Sequence, residues 1–329
     1  MQTPYYRITI LLPVHNEEHN LERLIKEIDY NFNNEKNISD APFIIFIDDG
    51  STDRSREVIQ NIIHLRGRGL YLGLSRNFGH QAAVMAGIRN TPPESIVLVM
   101  DSDGQDPPHI GIKLINEIHA GMDVAYGVRK ERMGSSPIKR FAYWSFYRLL
   151  STLTQVEIPL DAGDFCAYSS QAIIQISKIS EQHPYIRGLR AWLGMKQVGI
   201  QYNRPDRYGG DTSYDLDKLI KLALDGIIGF SLKPLRLSLI IGALIFVVCL
   251  FLSIIYLIIY LFNISFFGMY PRAAPGFTTL ILAVLMSSGL QMMMLGILGE
   301  YLGRVFEQVK DRPLFIISER FGDINSHHI

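Results

Sequence analysis

Three acidic clusters are the segments of the 329-residue chain best suited to chemistry: Pro13–Glu18 (P-V-H-N-E-E), Asp48–Asp53 (D-D-G-S-T-D) and Asp101–Pro108 (D-S-D-G-Q-D-P-P). Carboxylates at this density supply hard oxygen ligands, which suit Mg²⁺ or Mn²⁺ and leave coordination positions for phosphate oxygens. Asp101 and Asp103 alternate along the chain, and a turn at Ser102–Gly104 would converge them, with Gln105 as a third oxygen. Turns alone need only one Asp, Asn or Gly each. Repulsion among Asp48, Asp49, Asp101 and Asp103 would destabilise a shared rim unless a cation or donors compensate, and a metal is the economical answer.

The elements that must position these clusters alternate between strand and helix. Ile8–Pro13, Phe43–Ile47, Leu70–Leu74, Ile96–Met100 and Asp123–Gly127 read as short apolar strands. Asn20–Tyr30, Asp53–Leu65, Gly79–Asn90 and Ile110–Ala120 have helical spacing, and Asn31–Asp40 reads as a polar linker. This pattern predicts an α/β domain over residues 1–213 with a mainly parallel sheet. In such sheets ligands bind outside the carboxyl ends of the strands, where all three clusters fall. Asp53 reads as the N-cap of its helix, and His80 and His183 as surface or packing residues. Arg76–Gly79 is either a plain loop or part of a donor site.

Charge is balanced, 32 Lys and Arg against 32 Asp and Glu, which gives no case for a nucleic-acid binder. Two cysteines make no disulfide framework, and no zinc spacing occurs. Leu237 to Pro271 runs 35 residues without a charge, and after Arg272 a second run of 27 reaches Gly299. About 20 apolar helical residues cross a bilayer, so spans are expected near 236–262 and 276–299. Lys218, Lys221, Lys233 and Arg236 precede the first, and Arg304, Lys310 and Arg312 follow the second. The positive-inside rule then puts the N-terminal domain and both termini in the cytoplasm, at an inner or plasma membrane. Met1–Arg7 leads straight into a strand, so no signal peptide is expected. Residues 214–234 have amphipathic helical spacing and either pack on the domain or lie at the membrane surface. Residues 300–329 are expected to form a cytosolic helix and strand tail; Leu314–Ile317 reads as a strand needing a partner from its own domain or a neighbouring chain, and a homo-oligomer stitched by the tail is expected.

With S-R-N-F-G-H-Q-A-A from Ser75 and D-A-G-D-F from Asp161, the three clusters resemble family-2 glycosyltransferases with a GT-A fold. I-R-G-L-R-A-W, R-Y-G-G-D-T-S-Y, F-S-L-K-P-L and G-E-Y-L-G-R-V-F narrow this to the polyprenyl-phosphate glycosyltransferases, such as undecaprenyl-phosphate glucosyltransferases and dolichol-phosphate mannose synthases. The resemblance implies metal-dependent, inverting transfer of a hexose, most simply glucose from a UDP-sugar, to a polyprenyl phosphate in the membrane. It places Pro13, His15, Glu17, Asp48, Asp49 and Asp101 around the donor nucleotide, and Asp101, Asp103 and Gln105 on the Mg²⁺ or Mn²⁺. It gives Arg129, Arg132, Arg207 and Arg187 to the acceptor phosphate. Asp161, Asp164 and Asp103 are the catalytic candidates, the first two as base or as positioning groups. The chain departs from the pattern at Cys166, where the family usually has Arg, and at Ser213, where it has Lys. Two spans look too few to move a glycolipid across the bilayer, so a separate flippase and a downstream glycosyltransferase are expected.

A processive polysaccharide synthase shares the nucleotide-sugar rim. Such enzymes carry a Q-x-x-R-W motif and more spans; Arg190-Ala191-Trp192 lacks the Gln. A GDP-mannose-using enzyme of the dolichol-phosphate mannose synthase kind and an inactive membrane scaffold are further alternatives. A dinucleotide enzyme is disfavoured because no G-x-G-x-x-G opens a helix after the first strand.

Overall fold

The structure is a computed structural model that describes residues 7–35, 41–129, 162–203 and 277–323, with isolated positions between 235 and 262. Asp161, Arg132, Arg207, Ser213 and the 214–234 segment lie outside the described residues. Contacts divide the chain into two units, one holding the sheet and Arg312–Ile329, the other Ile227–Asp311.

The first unit is a three-layer α/β domain. Eight strands are described: β1 (Arg7–Val14), β2 (Phe43–Asp48), β3 (Gly69–Leu74), β4 (Ser95–Val99), β5 (Val124–Arg129), β6 (Ala162–Tyr168), β7 (Gln197–Tyr202) and β8 (Ile317–Asp323). They line up in the order β7-β5-β6-β4-β1-β2-β3-β8. β4, β1, β2 and β3 are parallel, as the strand-helix alternation predicts, while β6 runs antiparallel to both β4 and β5. β2 is buried along its whole length, which its run of Phe and Ile requires of a strand covered on both faces.

One face is covered by α1 (Leu21–Asn33), α2 (Ser55–Arg66) and α4 (Pro108–His119), the other by α3 (His80–Arg89), α5 (Ser170–Ser177) and α6 (Ile186–Trp192). α1 buries Leu21, Leu24, Ile25, Ile28 and Phe32. Phe32 continues the apolar stripe, so the helix runs past Tyr30 into the expected polar linker. Pro108 opens α4, where a missing N–H costs nothing, and Ser169 caps α5 by accepting from the Ala172 N–H at 3.2 Å.

The tail strand differs from its expected position. Ile317–Asp323, with no strong apolar run of its own, pairs antiparallel with β3 of the same chain, Tyr71 opposite Phe321. The tail strand therefore finds one partner within its own domain and forms an edge of the described sheet. The second unit contains α7 (Phe277–Val309), 33 residues that run through the expected boundary at 299. Residues 277–299 of the expected 276–299 span belong to α7, and the 236–262 span lies mostly outside the described residues. Among the described residues no helix is long and apolar enough to cross a membrane.

Candidate active site

Much of the polar density in the first two clusters stitches loops together. Asn16, at φ 58°, accepts the Thr52 N–H on its amide oxygen at 2.8 Å and donates its own N–H to Ser51 Oγ at 3.0 Å. The Glu17 N–H donates to Ser55 Oγ at 2.9 Å and the Glu18 N–H to Asp53 Oδ2 at 3.2 Å. Asp53 also accepts the Ser55 N–H at 2.9 Å, so it satisfies one orphan donor of α2 and ties the β1 loop to the β2 loop. Ser102 Oγ donates to the Pro13 carbonyl at 2.7 Å, which joins the β1 and β4 loops.

The acidic residues separate into two pairs. Asp48 and Asp49 are each 4 % exposed. Asp48 accepts from the Ser51 N–H and the Tyr71 hydroxyl, both at 2.8 Å. Asp49 accepts from the Phe78 and Gly79 N–H groups at 2.7 and 2.9 Å. These charge-assisted bonds compensate Asp48 and Asp49 by protein donors, one of the two means the sequence allowed, the other being a cation. Gly50 sits between these loops at φ +68°, and a Cβ there would meet Arg76 and Asn77 backbone at 2.7 Å.

Asp101 and Asp103 both lie on the turn that follows β4. Gly104, at φ +74°, turns the chain, and the Gln105 N–H donates to Asp103 Oδ1 at 3.0 Å. Asp106, fully buried, anchors the turn by accepting the Asp101 N–H and the Tyr202 hydroxyl, each at 3.1 Å.

Both carboxylates face a cavity of about 430 Å³ whose wall also includes Pro13, His15, Glu17, Asp49, Asn77, His80 and Asp164. Asp48, Gln105, Arg129 and Arg187 are not part of this wall. His15 Nδ1 lies 3.0 Å from the Asp49 carbonyl, which can only accept, so Nδ1 carries the proton. Arg129 is half-buried against Gly163, with Tyr202 and Asp106 as electrostatic neighbours.

β6 accounts for Asp164. Because it runs antiparallel to β4, with Val99 opposite Cys166, its first residues reach the rim where β4 ends. Arg187 then grips the Asp164 carboxylate with both arms, Nε to Oδ1 at 2.9 Å and Nη2 to Oδ2 at 2.8 Å. Burial alone would push that carboxyl up; the Arg187 guanidinium outweighs it and holds it well below the usual range. Arg190, fully buried one turn further along α6, donates to the Gly163 carbonyl at 3.3 Å and stacks 4.3 Å over the Tyr126 ring.

His80 is the residue the sequence passed over. Its Nε2 stands 3.8 Å from Asp101 Oδ1 and 3.7 Å from Asp164 Oδ2, between the two carboxylates. The signal available was its place just after R-N-F-G at the start of α3. Its second neighbour comes from a strand far along the chain, which spacing does not reveal.

Among the described residues no group of three or more His, Cys, Asp or Glu is gathered to hold a metal ion. Two convergent carboxylates fit a Mg²⁺ or Mn²⁺ that takes its other ligands from phosphate and water.

Comparison with known proteins identifies the family of the chain. The family described as glycosyl transferase family 2 matches residues 9–177. The uncharacterized glycosyltransferase YkcC of Bacillus subtilis is 36 % identical over 97 % of this chain and 95 % of its own. The prophage bactoprenol glucosyl transferase homolog of Escherichia coli is 32 % identical over 94 % of this chain and 98 % of its own. The bactoprenol glucosyl transferase of Shigella phage SfX is 30 % identical over 95 % and 99 %.

Proposed function

Because this chain belongs to glycosyl transferase family 2 and is a glycosyltransferase, we propose that it moves glucose from UDP-glucose to a membrane polyprenyl phosphate. The products are polyprenyl-phosphate-glucose and UDP. The observation that carries the reading is the convergence of Asp101 and Asp103 on one cavity beside Asp164 and His80. The names of the relatives, which join bactoprenol to glucosyl transfer, support the acceptor and the sugar.

Asp101 and Asp103 would hold the Mg²⁺ or Mn²⁺, which when bound supplies positive charge to the leaving diphosphate. The protein's own residues do the rest. The loops around Asp48 and Asp49 shape the nucleotide end of the cavity, and His15 and Asn77 complete that wall. An acceptor phosphate has a second pKa near 6 and is already an anionic nucleophile at neutral pH, so it needs no strong base. Asp164, held ionised by Arg187, suits a positioning role toward a sugar hydroxyl or the acceptor better than proton removal. In-line attack at the anomeric carbon inverts it and gives a β-linked product.

The membrane tether follows from the two uncharged runs. Within the second run, Leu280, Val284, Met292 and Leu295 of α7 are more than half exposed, which is compatible with lipid-facing side chains. This reading keeps the α/β domain on the cytoplasmic side and leaves transfer across the bilayer to a separate flippase. The test is to supply purified protein with undecaprenyl phosphate and a panel of UDP- and GDP-sugars, then read the anomeric configuration of the lipid product by NMR. A β-glucosyl product made from UDP-glucose supports the reading; an α-linked product, or one made only from GDP-mannose, overturns it.

A further inference from the structure

The chain that follows α7 returns to the sheet as β8, and its contacts reach the rim. Phe321 stacks on Tyr71 of β3, ring centroids 4.3 Å apart and planes 14° from parallel. The Tyr71 hydroxyl donates to Asp48 Oδ2 at 2.8 Å, and Asp48 Oδ1 accepts the Ser51 N–H at 2.8 Å. One continuous line of contacts therefore runs from the tail strand through Tyr71 to the turn that follows β2. That turn also carries Asp49 of the cavity wall, and its Ser51 and Thr52 are bonded to Asn16 of the β1 loop.

The line is well determined at both ends. Asp48 is buried, so its carboxylate depends on protein donors, and losing one leaves a buried charge short of a partner. Burial and the bond to Asp48 both raise the Tyr71 phenol far above its ordinary value, so it stays protonated and donating. β8 is fastened independently of Phe321. Ser318 Oγ donates to the Gly73 carbonyl at 3.1 Å, the Ser75 N–H donates to the Ile316 carbonyl at 2.9 Å, and Glu319 pairs with Arg56 of α2. Gly322, at φ +87°, passes so close to Gly69 that a Cβ would lie 2.2 Å from its carbonyl oxygen.

We propose that β8 is a positioning element for the donor nucleotide: Phe321 and Tyr71 set the Asp48–Thr52 turn, so the tail governs nucleotide affinity without touching the nucleotide. This rests on the reading of the rim as a nucleotide-sugar site. Tyr71 and Phe321 are positioning residues, and their effect falls on the donor while the acceptor is unaffected.

The test uses the full chain and measures UDP binding by calorimetry with Mn²⁺ present, KM for donor and acceptor separately, and the melting temperature. Tyr71→Phe removes only the hydroxyl, and the expected result is UDP affinity weaker by roughly tenfold, about the effect of one lost bond to a charged group. Donor KM rises to match, and acceptor KM stays at the wild-type value. Phe321→Ala moves the same quantities in the same direction, and Phe321→Leu recovers most of the loss. Unchanged UDP affinity in folded Tyr71→Phe and Phe321→Ala would overturn the proposal, as would equal rises in donor and acceptor KM. Failure of the folded wild type to bind UDP would instead bring down the nucleotide-sugar reading, and this inference with it.

Discussion

Asp164 accepts both arms of the Arg187 guanidinium, at 2.9 and 2.8 Å, and this pair ties α6 to the first residues of β6 at the cavity wall. Arg187 holds the carboxyl well below the usual carboxylate range, so at neutral pH it is an ionised group paired at the cavity wall.

The pair predicts a defined pH dependence of stability. The folded pKa of Asp164 lies below its unfolded value of about 3.9, so the stabilisation is complete above that pH and is lost as pH falls through the folded value. Asp164→Asn leaves Arg187 without its carboxylate and should cost about 3 kcal/mol at pH 7, the low end for a buried pair because Arg187 keeps 28 % exposure. Urea denaturation of wild type and variant from pH 3 to 7 checks this. The gap should narrow below about pH 4, and a gap that widens there would contradict it.

Asp101 and Asp103 should behave as one unit. Asp103→Ala is expected to lower transfer by roughly 10²–10³-fold, the scale of several kcal/mol of transition-state charge stabilisation. Chelation of divalent cations in the wild type should have the same effect, reversed by added Mn²⁺ or Mg²⁺. Full activity after chelation would remove the metal from the mechanism.

Asp106 predicts a smaller, structural effect. Tyr202→Phe takes one donor from a fully buried carboxylate that also holds the Asp101 N–H, and should destabilise the domain by about 1–2 kcal/mol. Transfer should fall as the Asp101–Asp106 turn loosens. Denaturation curves that superimpose on wild type would show that Asp106 does not depend on Tyr202.

Gly50 and Gly67 make a matched pair. Both have positive φ, +68° and +64°, but a Cβ at Gly67 meets nothing within 4 Å while one at Gly50 strikes the Arg76 and Asn77 backbone. Gly67→Ala should therefore cost about 1 kcal/mol, from backbone strain alone. Gly50→Ala should cost at least about 2 kcal/mol and weaken UDP binding. Equal losses at the two sites would show that the β2 and β3 loops do not pack as described.

The elements legible in the sequence were those whose signal is local. β1 to β5 and α1 to α4 announce themselves as apolar runs and stripes, and the three acidic clusters fall at their ends. Glycines and Asp103 mark the turn that converges Asp101 and Asp103. β6 and β8 were harder because they are defined by what they pair with. The Gly163-Asp164 start of β6 lacks an apolar run, and Ser318, Glu319 and Arg320 give β8 the polarity of an edge strand. His80 and Tyr71 owe their roles to Asp164 and Asp48 across the fold, which no spacing encodes. Of the four clustered carboxylates, Asp48 and Asp49 are held by protein donors, and Asp49, Asp101 and Asp103 line the cavity, a division that spacing does not reveal.

The most direct measurement is to incubate the purified full-length protein in detergent with radiolabelled UDP-glucose, undecaprenyl phosphate and Mn²⁺, and to count label in the organic phase. Asp103→Ala and chelated wild type run beside it. Label that enters the organic phase with wild type and is lost in both controls is the predicted result. Label that stays in the aqueous phase, or collects as polymer at the chromatographic origin, would contradict transfer to a lipid phosphate.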